Sequence, residues 1–312
     1  MIIDIHTHIF GKGWLPREFF YGIARFITYE FAKSGVVQSN EEVGDGLIDA
    51  SDDPRAESLL EEMEEAGIDR SILLPVDLEF AFPGQAVPMQ EVNRLHAELA
   101  RQHPQRLIAF AGIDPRRGNA VELFTQCVQD WGMQGLKLHP TAGFYPNQKE
   151  VYPLLEKACA WKIPVLIHSG SMMVPLRSKY SQVIHLDDLG ADFPDLPVIA
   201  AHCGGIFGYQ QMISVMTTKL NILVDISAWQ LLAIKNYPYF CRALRDVMDF
   251  AGCERILFGS DSPSFRSFMS NPDWVQTIKD LPRNAPDGIR FTEEEIAAVL
   301  GGNAQRVLKN IG

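Results

Sequence analysis

The chain opens Met1-Ile2-Ile3-Asp4-Ile5-His6-Thr7-His8, an apolar run that carries two histidines two residues apart. In an extended strand, residues i and i+2 share a face. His6 and His8 therefore stand side by side, an arrangement suited to a divalent cation. A His-x-His pair arises by chance in many chains, so its meaning depends on partners. His168 ends the apolar run that starts at Ile163, His202 ends the run from Pro197, and Asp261 follows Arg255-Ile256-Leu257-Phe258-Gly259-Ser260. Lys137 lies in Gly135-Leu136-Lys137-Leu138-His139-Pro140. The steps from Lys137 to His168, His202 and Asp261 are 31, 34 and 59 residues. A strand-plus-helix unit takes roughly 30 residues, so these steps are one unit, one unit and two. With Lys137 on a fourth strand, His168 falls on the fifth, His202 on the sixth and Asp261 on the eighth. The 131 residues from His6 to Lys137 hold three units, with roughly 40 residues to spare.

A length of 312 residues suits one large α/β barrel. Hydrophobic residues make up 46% and charged residues 21%, as in a soluble globular protein. No apolar run approaches the roughly 18–20 residues that span a bilayer, and a histidine-bearing strand stands where a secretory leader would have its basic and apolar regions. A net charge of −11 argues against nucleic-acid or anionic-membrane partners and leaves a small-molecule substrate. The five cysteines (Cys127, Cys159, Cys203, Cys241, Cys253) are odd in number and widely spaced. They read as reduced thiols of a cytoplasmic enzyme. Cys203, beside His202, reads as packing.

Apolar strands alternate with helical patterns along the whole length, as a parallel sheet requires. The strand candidates are Ile2–Ile5, Ser71–Pro75, Leu107–Gly112, Gln134–Leu138, Ile163–His168, Val198–His202, Ile222–Ile226 and Ile256–Gly259. Between them lie helices such as Pro54–Ala66, Met89–Gln102, Asn119–Trp131, Lys149–Trp161 and Pro238–Ala251. Gly67 is placed to stop one of them, and Thr292 with Glu295 forms a capping box for another. The expected fold is a (β/α)8 barrel of the α/β class, one domain over 1–312, with an aromatic-rich insertion after strand one and C-terminal helices. The insertion, about 9–53, carries Trp14, Phe19, Phe20, Tyr21, Phe26, Tyr29 and Phe31. It either packs on the barrel or a second subunit, or walls the substrate pocket. Exposed aromatics there would favour a homodimer.

Ligands at the C-terminal ends of barrel strands converge on one mouth. Three imidazoles and a carboxylate there suit Zn²⁺, with Mn²⁺ or Fe²⁺ as alternatives, as one ion or two. Such a metal lowers the pKa of bound water towards about 7 and polarises carbonyl oxygens. Asp261 is then ligand, proton acceptor or both, and His202 either binds a second metal or handles a proton or an oxyanion. Lys137 and His139 alternate onto one face, and a lysine pointing into a barrel is costly unless paired or functional. Asp4 reads as a loop anchor, whereas His96 and His103 read as surface residues. Substrate anions are expected to meet Lys137, Arg177 or Arg17.

These segments resemble the amidohydrolase superfamily, and within it the amidohydrolase-related group that includes aminocarboxymuconate semialdehyde decarboxylase. The resemblance rests on His6-Thr7-His8, Gly135–Pro140, Ile167-His168-Ser169-Gly170, Ala201-His202-Cys203-Gly204-Gly205 and Phe258–Pro263. Leu59–Arg70 and Gly302–Leu308 resemble the family's helix ahead of strand two and its C-terminal helix. The resemblance implies that His6, His8, His168 and Asp261 bind the metal and that His202 is an acid/base or oxyanion residue. It also implies that a carboxylated Lys137 is one way to bridge two metals. The family's decarboxylases usually follow the aspartate with a different tripeptide from Ser262-Pro263-Ser264 and tend to lack a Lys-Leu-His-Pro strand. The reading placed first is accordingly a hydrolase of an amide, lactone or related carbonyl, and the alternative a non-oxidative decarboxylase of an unsaturated or aromatic acid.

Overall fold

Eight strands of the computed structural model form a closed parallel barrel, and the description covers residues 1–308 except Pro83. In chain order the strands are Ile3–Thr7, Arg70–Leu73, a third in two pieces (Leu107–Ala109 and Ala111–Gly112), Leu136–Leu138, Val165–Ile167, Val198–Ala200, Ile222–Asp225 and Ile256–Leu257. Each pairs with the next in parallel. The third strand breaks at Phe110, whose amide still bonds Leu73 O at 3.1 Å while Ala111 N bonds Gly135 O at 2.8 Å. Gly135 is required there, because a Cβ would lie 2.6 Å from the Phe110 ring. Closure comes from Ile5 N to Phe258 O (3.0 Å), Asp261 N to His6 O (2.8 Å) and a parallel bridge between Thr7 and Ser262. The eight expected strands are therefore the eight observed, most of them shorter at the ends.

Two cores follow from the strand period of two. Ile5, Ile72, Leu166, Ile199, Leu223 and Leu257 point inward and fill the barrel. Leu136, Leu138, Val165, Val198, Val224 and Phe258 point outward to meet the helices. Lys137 is in register with inward Leu166, so its side chain enters the barrel. Leu223 and Leu166 being inward, Asp225 and His168 are inward one step further on.

Helices Glu57–Ala66, Met89–Gln102, Ala120–Gln129, Tyr152–Trp161 and Tyr237–Ala251 match the expected series. Gly67 ends the first with φ 67°, and the Thr292/Glu295 capping box is formed. The first of them starts at Glu57 rather than Pro54, because Ala56 with φ 56° is its N-cap. The insertion folds as two packed helices, Arg17–Lys33 and Asn40–Ala50. Of its seven aromatics only Tyr29 is largely exposed, which removes the exposed-aromatic argument for a homodimer. Among the described residues no helix is long and apolar enough to cross a membrane.

Candidate metal and substrate site

The side chains of His6, His8, Lys137, His139, His168, His202 and Asp261 meet at the floor of one cavity of about 670 Å³ at the C-terminal ends of the strands. Strict alternation would put Ile5 inward and His6 outward. A one-residue bulge between Asp4 and Thr7 turns His6 inward as well. His202 and Asp261 lie beyond their strands and reach the floor through left-handed backbone, φ 59° and 55°. Non-glycine residues in that region cost of order 1–3 kcal/mol each and cluster at functional sites. Asp4 anchors this region as expected, accepting from His6 N at 3.1 Å and Ser260 N at 3.0 Å. Burial pushes its carboxyl up to about 7.

The hydrogen bonds fix which imidazole nitrogens are bare. His8 Nδ1 lies 2.6 Å from Leu74 O, a carbonyl that only accepts, so Nδ1 carries the hydrogen. Its Nε2 then faces Asp261 Oδ1 at 3.2 Å, one acceptor against another. His6 Nδ1 donates to Asp225 Oδ2 at 2.9 Å, so His6 Nε2 carries no hydrogen; it faces Lys137 Nζ at 3.2 Å and the same Asp261 oxygen at 3.7 Å. His168 Nε2 is buried with no partner among the described residues. Among the described residues Lys137 meets only His6 Nε2; the lone pairs of His8 Nε2, against the Asp261 carboxylate, and of His168 Nε2 call for a further positive charge among them. Ring nitrogens whose opposite N–H is held by a carboxylate or a carbonyl are the usual form of metal-binding histidine. His6, His8 and Asp261 have ligand atoms within 4.8 Å of one another. This donor set fits a divalent cation.

The charges agree with that geometry. Burial, with help from the Lys137 charge, pushes His6 down to about 3, and burial also drives His139 and His168 far below their ordinary value. These rings are neutral at pH 7. Burial alone would raise Asp261, but the adjoining imidazoles, His8 foremost, hold it below the usual carboxylate range. Lys137 is 1% exposed, with Nζ 3.2 Å from His6 Nε2. Burial pushes it down to about 8 against the pull of Asp261 and Asp225.

Of the remaining candidates, His168 stands outside the His6–His8–Asp261 triplet, stacked on His139 at 4.3 Å between ring centroids and bonded through Nδ1 to His202 Nε2 at 3.2 Å. Arg17 and Arg177 are not in the cavity. Arg17 points to a separate hollow and pairs with Asp45 at 2.7 Å, and Arg177 is exposed. Their positions depend on helix phase and loop path, which the strand count does not supply. His96 is a second correction: it is fully buried in helix Met89–Gln102. Its spacing from Met89 and Val92 put it on the apolar face, a signal present in the sequence. Two site residues were missed altogether. Asp225 ends strand seven and holds His6, and Ser227 joins Asp225 to His202. An acidic residue at the C-terminal end of a barrel strand was the available sign for Asp225. Ser227 had none.

Above the floor the walls are apolar. Helix Arg17–Lys33 contributes Phe19, Ile23, Phe26 and Ile27, and the segment after strand eight contributes Phe265 and Phe268. The insertion thus both packs on the barrel and walls the pocket.

Comparison with known proteins supports this architecture. The chain is 20% identical to the curated 2-amino-3-carboxymuconate-6-semialdehyde decarboxylase of Dictyostelium discoideum, over 98% of this chain and 91% of that protein. Among solved structures it resembles an uncharacterised TIM-barrel protein of Bordetella bronchiseptica (TM-score 0.71, 20% identity, 100% and 99% of the two chains). It also resembles a dihydroxybenzoic acid decarboxylase of Polaromonas with bound manganese (TM-score 0.67, 18% identity, 99% and 96%). The amidohydrolase family profile matches residues 3–309, and the chain belongs to that family.

Proposed function

We propose that this chain is a metal-dependent non-oxidative decarboxylase of an unsaturated or aromatic carboxylic acid. The observation that carries the reading is the cavity itself: a floor of imidazoles, Asp261 and Lys137 that fits a divalent cation, beneath apolar, aromatic walls. A flat conjugated acid fits that division, with its carboxylate down and its ring between the phenylalanines. The decarboxylase names of the curated relative and of the Polaromonas structure support it. The hydrolase expectation takes second place, since neither of those names is a hydrolase.

His6, His8 and Asp261 would hold the cation, with His168 beside them. When bound, a divalent cation supplies positive charge that binds and orients a carboxylate or an adjacent oxygen of the substrate. Lys137 is the floor group that carries a proton at neutral pH, since its pKa lies near 8. As the carbon–carboxyl bond breaks, CO₂ leaves and the electron pair stays on the ring carbon. Lys137 Nζ delivers the proton that replaces CO₂ and regains one from solvent. Asp225 and Ser227 keep His6 and His202 oriented, and the phenylalanines hold the ring and exclude water. Zn²⁺ was the expected ion, and the manganese in the Polaromonas enzyme puts Mn²⁺ beside it.

The test is product analysis with Mn²⁺- and Zn²⁺-loaded protein on panels of aromatic acids, unsaturated acids, lactones and amides. Release of CO₂ from an acid supports the reading. Ring opening of a lactone or cleavage of an amide, with no CO₂ from any acid, overturns it in favour of the hydrolase.

A further inference from the structure

Neither of the two arginines expected to meet substrate anions lines the cavity: Arg17 pairs with Asp45, and Arg177 is exposed. Among the described residues lining it, Lys137 is the one lysine or arginine, and it sits on the floor. Arg17, Arg266 and Arg116 are each engaged with a carboxylate: Arg17 with Asp45, Arg266 with Glu62, Arg116 with Asp114. The wall above the floor is Phe19, Phe26, Phe265 and Phe268, with Phe207 82% exposed. Its polar groups are neutral, among them Gln182 and exposed Gln211. A carboxylate buried against such a wall would lose its water and gain no charged partner. The cavity volume of about 670 Å³ lies within the roughly 300–1,000 Å³ of sites that take ligands larger than one ring.

We infer that the substrate is a monocarboxylate: one carboxylate on the floor, beside Lys137 and the metal-binding group, an apolar conjugated body along the aromatic wall, and no second anionic group. This rests on the decarboxylase reading for which end of the substrate lies on the floor. It narrows that reading, because a dicarboxylic acid would leave its second charge unpaired.

Three probes of one shape separate charge from size: 2-naphthoate, 6-carbamoyl-2-naphthoate and naphthalene-2,6-dicarboxylate. Their binding to Mn²⁺-loaded protein is measured by isothermal titration calorimetry. The monoacid and its amide are expected to bind alike, and the diacid at least tenfold more weakly. In Gln211→Arg the diacid is expected to recover at least threefold. The inference is overturned by a diacid less than tenfold weaker, by loss of the amide together with the diacid, or by no binding of any probe. A diacid that gains nothing in Gln211→Arg overturns the placement of its far end beside Gln211. CO₂ release is a separate measurement. Protein that binds as expected yet decarboxylates no acid fails the decarboxylase reading and leaves the charge selectivity standing.

Discussion

Ser227 Oγ lies 2.8 Å from His202 Nδ1 and donates its own hydrogen to Asp225 Oδ1, so the proton on His202 is fixed at Nδ1. His202 Nε2 must then accept, and the atom 3.2 Å away is His168 Nδ1. His168 in turn carries its hydrogen on Nδ1 and keeps Nε2 bare. One serine thus sets the tautomer of two rings. Ser227→Ala also frees Asp225, the carboxylate that holds His6, and is expected to weaken metal binding by roughly 10–100-fold, the range for lost outer hydrogen bonds at metal sites. Ser227→Thr, which keeps the hydroxyl, should restore it. Competition against a chelator reads the affinity, and equal values for all three proteins would sink the relay.

The acceptor cluster predicts which alanine variants lose the ion. His6→Ala and Asp261→Ala each remove a ligand atom from the compact triplet, and both proteins should come through dialysis with little bound metal. His139→Gln should keep full content, because His139 Nδ1 is already bonded to Thr141 Oγ1 at 2.7 Å and its ring serves mainly to pack on His168. Elemental analysis settles both. Full metal in His6→Ala would mean that the triplet is not the site.

Much of this was legible because barrel chemistry is written at strand ends, where the unit length places it. His168, His202 and Asp261 could be assigned to strands by counting alone, and Lys137 to an inward face by its alternation with Leu136 and Leu138. What was hidden depends on departures from regular geometry. The bulge at strand one brings in His6, and left-handed backbone at His202 and Asp261 brings in those residues. Arg17 and Arg177 were misplaced because no period governs where a loop or an insertion helix points its side chains. Ser227 was invisible because a lone serine past a strand has no spacing to distinguish it.

His96 carries a pH prediction. It is fully buried, donates Nδ1–H to Val92 O at 2.8 Å and has no partner at Nε2 among the described residues. Burial pushes it down to about 4, against an ordinary 6.5. Between those values the unfolded chain binds a proton that the folded one does not, so stability falls as pH falls from 6.5 towards 4. By pH 5 the loss is about 2 kcal/mol from this group alone. His96→Met keeps the apolar volume and removes the titration. Its unfolding free energy in urea should drop less from pH 7 to pH 5 than that of the parent, by about that amount. Parallel pH dependences would show that His96 does not charge on unfolding.

Phe268 tests the wall independently of the floor. Its ring centroid lies 6.0 Å from Phe26 and 6.1 Å from Phe31, so it ties the insertion helix to the segment after strand eight across the cavity. Neither tie touches His6, His8 or Asp261. Phe268→Ala removes an aromatic contact worth about 0.5–1.5 kcal/mol beyond its area, which corresponds to roughly a 2–12-fold change in affinity. KM for a conjugated acid should therefore rise about 2–12-fold, with kcat within about twofold of the parent. Metal content should be unchanged, since the ligand atoms are supported from the barrel. A fall in kcat at constant KM would instead give the wall a part in the chemical step, and loss of metal would show that the insertion helps to hold the floor together.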